Sequence, residues 1–119
     1  MRKIILKAVD EFDKKLYSVS AIDFKKNKIS VQFKGNLENV YEFEDICIIQ
    51  STEMIDNNGN EVYESDLLSD GVKTFCINYN KSKGLYCGTE VNSVEEESLE
   101  VLLRRRFIVV GNFYTEKAR

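Results

Sequence analysis

Four carboxylates crowd one stretch of this chain: Glu61, Glu64, Asp66 and Asp70. Paired carboxylates can hold Mg²⁺ for phosphoryl chemistry or share proton transfer in hydrolysis. A carboxylate- and metal-dependent hydrolase using Glu61, Glu64 and Asp66 is therefore one reading, and it requires those side chains to converge in a concave pocket. Acids around turns more often accept hydrogen bonds from backbone N–H groups. Just upstream, Asp56, Asn58 and Asn60 fall at alternate positions, as calcium ligands do in an EF-hand loop. The match then fails. Glycine is needed at the sixth position and Gly59 is fourth, while the twelfth, a bidentate Glu in such loops, is Leu67. Asn57-Asn58-Gly59-Asn60 reads instead as a type I′ hairpin turn, because Asn and Gly tolerate positive φ.

Other chemistry is narrowed by what the chain lacks. It contains no His, Trp or Pro. Without His there is no Ser-His or Cys-His pair for nucleophilic catalysis, no His-based zinc site, and no side chain that titrates naturally near neutral pH. Cys47, Cys76 and Cys87 remain, without a CxxC pair. They offer a reactive thiol or a three-Cys metal site completed by a carboxylate. No basic residue flanks them to stabilise a thiolate, so they read as small apolar residues. No catalytic residue, metal site or cofactor is assigned.

Cations with aromatics allow a binding reading. Tyr79, Lys81 and Lys83 lie on one hairpin, and Arg104, Arg105 and Arg106 form a triplet. Aromatics stack bases and cations meet phosphates, so a nucleic-acid-binding module requires these side chains to share a face. The overall charge of −3 over 119 residues supplies no general attraction to nucleic acid or an anionic membrane. With 43% hydrophobic and 31% charged residues, the composition is that of one soluble globular domain, residues 1–119. The apolar run within Met1 to Lys7 is too short for a signal peptide, and no segment approaches a membrane span. A cytoplasmic location without membrane association is expected.

The elements that must position these residues are mainly strands. Ile4 to Val9 opens the chain, and Leu16 to Phe24 follows after a charged turn. Ile29, Val31 and Phe33 then alternate with Ser30, Gln32 and Lys34, the period-2 pattern of a half-buried strand. Val40 to Phe43, Ile46 to Gln50, Val72 to Tyr79 and Leu85 to Cys87 are further strands, with Asn80 to Gly84 closing a hairpin. Ser93 followed by Glu96 reads as a capping box opening the one C-terminal helix. Glu95, Glu96 and Glu97 then fall at its dipole-favoured start and the arginines at its end. Val94, Leu99, Leu102 and Leu103 supply an apolar side. After Phe107 to Val110, Gly111-Asn112 reads as a turn before Phe113-Tyr114, and residues 115–119 as a frayed end. Short strands with turn chemistry between them predict a small antiparallel barrel or a strongly bent sheet.

Three blocks in order resemble the YopX family of phage and prophage proteins, with this chain as a divergent member. Ile5-Leu6-Lys7-Ala8-Val9-Asp10 is similar to an opening strand of pattern F-R-A-W-D. Ile48 to Thr52 and Asp56 to Leu68 are similar to Q-x-T-G-L-x-D-x-N-G-x-x-I-Y-E-G-D-I-V. Val109 to Tyr114 is similar to V-I-G-N-I-Y. Val9 stands in place of Trp, and Glu53 and Ser65 in place of Gly, which raises the question of backbone geometry there, since Gly serves positions that a Cβ disfavours.

The resemblance implies a small, mainly β, phage-encoded protein and carries no particular activity. It marks Asp56, Asn58, Gly59, Tyr63, Glu64, Asp66, Gly111 and Asn112 as motif residues that read as structural: Gly59 suits a turn, Tyr63 offers packing with a polar tip, and Asp66 can accept backbone hydrogen bonds before the next strand. The expected function is that of a non-catalytic accessory protein binding a host or phage protein. Nucleic acid is the alternative partner. An exposed edge strand leaves a homo-oligomer possible.

Overall fold

The computed structural model describes residues 5–10 and 12–115. The expected strand residue Ile4 and the end at 116–119 lie outside the described residues. The strands are β1 (Leu6–Asp10), β2 (Lys15–Asp23), β3 (Lys28–Lys34), β4 (Leu37–Glu42), β5 (Cys47–Ile55), β6 (Glu61–Tyr63), β7 (Asp66–Ser69), β8 (Thr74–Asn80), β9 (Leu85–Glu90), β10 (Glu96–Ser98) and β11 (Ile108–Asn112). A single short helix, α1, covers Leu99–Arg104. The fold is mainly β, with two antiparallel sheets of order β4-β3-β2-β1-β5-β6 and β10-β9-β8-β7-β11. Among the described residues no sheet closes into the barrel that the strand spacing allowed.

Residues 1–50 and 51–119 form two compact units. In the first, the alternation in β3 holds for Ile29 and Val31, which are buried, and fails at Phe33, which is exposed near the strand's end. They pack with Ala8, Tyr17 and Ile46, and with the half-buried Val19, Tyr41, Phe43 and Ile48. A 3-10 helix at Phe43–Asp45 joins β4 to β5. Tyr17 and Tyr41 keep their polar tips satisfied, donating to Asp13 and, at 2.9 Å, to Asp10.

In the second unit, Val62, Leu68, Phe75, Ile77, Leu99, Leu102, Phe107 and Val109 make the core. Phe75 and Phe107 meet edge to face at 5.5 Å. The helix lies against the face of β9 that Gly88 opens. A Cβ on Gly88 would stand 2.7 Å from Leu102 Cδ1 and 2.8 Å from Phe75 Cβ.

Two local expectations are corrected. The helix does not begin at Ser93. Ser93 Oγ accepts only from Glu95 N–H, two residues on, and Glu96 and Glu97 pair in the sheet with Thr89 and Gly88. Sheet pairing overrides the local capping signal, and Ser98 is the true cap, accepting from Val101 N–H at 3.2 Å. Gly111-Asn112 is not a turn either. Both residues lie in β11, just after a bulge that leaves Val110 opposite no residue of β7. The turn follows at 113–115.

Candidate functional site

The family-motif residues hold the second unit together. Asp56 directly follows β5 and is buried. Its Oδ1 accepts from Asn58 and Asn60 N–H, each at 2.9 Å, and its Oδ2 from Val109 N–H at 2.8 Å. Burial works to raise the pKa of this carboxyl, but the hydrogen bonds from Val109, Asn60 and Asn58 outweigh it and hold it below the ordinary value. The Asn-Gly turn is also not of type I′. Only Gly59 has positive φ, +82°, and Asn57 and Asn58 do not. Asp56 N–H donates to Asn60 C=O, and Gly59 N–H to Asp56 C=O. This is the three-residue hairpin loop closed by a left-handed glycine.

Asp66 opens β7 and is fully buried. It accepts from Tyr63 N–H at 2.7 Å and from Asn112 Nδ2 at 3.0 Å. The same Asn112 amide donates to Glu64 C=O, and its Oδ1 receives Tyr114 N–H. Tyr63 is buried, and Gly111 precedes Asn112 on β11. Asp70 caps its own turn, accepting from Val72 and Lys73 N–H. The carboxylates of Glu61, Glu64, Asp66 and Asp70 therefore do not gather. Among the described residues no three of His, Cys, Asp and Glu come together where they could hold a metal ion.

The two positions where the family carries Gly keep a glycine's backbone. Ser65 has φ +67° and Glu53 φ +64°. Glu53 sits in a bulge of β5, between the pairs Ser51–Tyr63 and Ile55–Glu61. There the Thr52 hydroxyl replaces ladder bonds by donating to Val62 C=O at 2.7 Å.

The expected binding residues fall in separate places. Tyr79 stacks edge to face on Tyr86 at 5.2 Å. Lys83 reaches Glu96 at 2.7 Å, and this contact raises the pKa of Lys83 and lowers that of Glu96. Glu96 pairs with Thr89, whereas Tyr86 is of the opposite parity on β9. Tyr79 and Lys83 thus serve opposite faces of the sheet. Lys81 is exposed on the hairpin loop. Arg104 pairs with Glu100, and Arg105 with Glu97 at 3.9 Å.

Cys47, Cys76 and Cys87 are free thiols. Burial pushes the Cys76 and Cys87 thiols above the ordinary value, with nearby Asp66 adding to the first and Glu96 to the second.

Two concavities were not apparent in the sequence. In the first unit a cavity of about 430 Å³ is lined wholly by apolar side chains: Leu6, Ile22, Phe24, Ile29, Phe43, Ile46 and Ile48. Phe24 stands at its rim, 76% exposed, edge to face with Phe43. In the second unit a polar cleft of about 630 Å³ is lined by Asn57, Asn58, Leu103, Arg104, Arg106 and Ile108. It brings motif residue Asn58 together with two of the three arginines. Only Phe24 beside a lysine-rich turn could have hinted at the first. Nothing local links Asn58 to residues almost fifty positions on.

These features define a small, mainly β protein of two antiparallel sheets and one short helix. The sequence matches the family described as YopX protein over residues 7–118, and the chain belongs to that family. The fold is similar to the crystal structure of protein EF1440 from Enterococcus faecalis, with a TM-score of 0.63 at 19% identity, covering 97% of this chain and 96% of that one. Comparison with curated proteins gives no match.

Proposed function

We propose that this is a phage- or prophage-encoded accessory protein of the bacterial cytoplasm that acts without catalysis, by binding a host or phage protein. The observation that carries this reading is the apolar cavity of the first unit, open to the surface with Phe24 exposed at its rim. Exposed apolar patches and concave apolar pockets mark interaction sites. An aliphatic or aromatic anchor of a partner fills such a pocket and removes Phe24 from water. Nucleic acid is less favoured, because Tyr79 and Lys83 serve opposite sheet faces and Lys83 and Arg105 are occupied by carboxylates.

The test is a pull-down from lysogenic host lysate with the wild type and Phe24→Asp, a change at an exposed position. A protein retained by the wild type and lost from the variant is expected. Equal retention by both, or an eluate that contains only nucleic acid, would overturn the reading.

A further inference from the structure

We propose that the polar cleft of the second unit is an anion site that takes a phosphate group. It shares no lining residue with the apolar cavity and does not depend on the partner-binding reading.

The argument turns on Arg106. The end of α1 has the hydrogen-bond pattern of a Schellman motif: Phe107 N–H donates to Leu102 C=O at 3.0 Å, and Arg106 N–H to Leu103 C=O at 3.1 Å. Phe107 and Leu102 both enter the core, which supplies the apolar contact that accompanies this cap. The left-handed position in such a cap belongs to Gly or, less often, Asn. Here it is Arg106, at φ +64°. An L-residue is strained there, so the cap alone gives no reason for arginine. Strain of this kind collects where a side chain has work to do.

That side chain lines the cleft. Unlike Arg104 and Arg105, Arg106 has no carboxylate partner among the described residues. Arg104, which lines the same cleft, spends one nitrogen on Glu100 and keeps further N–H donors. Asn57 and Asn58, both exposed, add carboxamide donors from the facing turn. No carboxylate among the described residues lines the cleft. Asp56 lies beneath the turn, but its two oxygens are committed to three backbone N–H groups. The carbonyls of Val101, Leu102 and Leu103 near the end of α1, which would repel an anion, are covered by the cap bonds.

Two guanidinium forks and two carboxamides offer donors from several sides. One fork satisfies a carboxylate; a phosphate, with its three terminal oxygens and greater charge, uses the whole set. The ligand is accordingly a phosphate, free or carried as a monoester.

Amide chemical shifts followed by NMR test this in the intact protein. Inorganic phosphate and a nucleoside monophosphate are titrated separately, with acetate as a carboxylate control. Saturable shifts centred on Asn57, Asn58 and Arg106 are expected with phosphate, the monoester or both, and the comparison tells free from esterified phosphate. Affinity should fall as salt rises. Arg106→Gly removes the guanidinium while suiting the backbone, so it should fold at least as stably and bind at least tenfold more weakly. Absence of saturable shifts at these residues, equal response to acetate, or unchanged binding by a folded Arg106→Gly would each overturn the proposal. The Phe24→Asp protein should bind phosphate as the wild type does, so either site can fail without the other.

Discussion

Replacing Ser65 with Gly should stabilise this protein although it removes a buried side chain. Ser65 holds φ +67° between two backbone hydrogen bonds, donating to Ile77 C=O at 2.6 Å and accepting from Phe113 N–H at 2.8 Å. Relaxing to negative φ would break both, so the strain is locked in. An L-residue in this region costs roughly 1–2 kcal/mol. Gly avoids that cost but loses about 0.5–1 kcal/mol more conformational freedom on folding. The side chain is nearly buried, at 8% exposure, but it is a single hydroxymethyl group. The net gain is about 0.5–1 kcal/mol, a rise in Tm of roughly 2–6 °C for a chain of this size. Urea denaturation and calorimetry on wild type, Ser65→Gly and Ser65→Val make the comparison. Valine should destabilise, because a β-branched residue fits this region worst. If glycine lowers Tm, or valine matches serine, the argument from backbone strain is wrong.

Asp56→Ala should cost about 3 kcal/mol in urea denaturation, because it orphans Val109 N–H in the core along with two turn amides. Asp56 also shapes the acid limb of stability. Its folded pKa is lowered, so its contribution is complete above the unfolded value near ~3.9 and is lost as pH falls through the folded value. Asp56→Asn should flatten that limb in pH-dependent melts. Gly88→Ala should destabilise by about 1–3 kcal/mol, measured the same way, because its methyl would press on Leu102 and Phe75. Ser98→Ala should cost about 1 kcal/mol as a lost helix cap, while Ser93→Ala should cost clearly less; equal effects would contradict the placement of the helix start.

Patterns that depend on neighbours in sequence were legible. The alternation of Ile29 and Val31 marked their burial because strand periodicity is a local property. The glycine positions of the family left the backbone at Glu53 and Ser65 an open question, and both residues hold positive φ. The helix start was misread because Ser93-Val94-Glu95-Glu96 satisfies a capping box locally, while Glu96 and Glu97 are claimed by β9. Asn112 read as a turn residue, yet its amide is needed 46 residues away in sequence, at Asp66. The polar cleft was out of reach for the same reason: the turn at Asn57 and the end of α1 meet only in the folded unit.

The long reach of the two motif carboxylates bears on how the protein is made. Asp56 waits for a partner 53 residues downstream, and Asp66 for one 46 residues downstream. Chains emerge from the ribosome at about 5–20 residues per second, and compact units fold as they appear. The first unit has all of its strands paired with β1 or onward by residue 50. The second remains incomplete until β11 has been delivered, with Asp56 and Asp66 lacking their distant partners until then. A nascent chain arrested before β11 should therefore yield to protease within residues 51–105 while residues 12–50 resist. Among the described strands β11 is the closing stitch of the second unit, and a translation product that stops before it lacks the distant partners of both carboxylates.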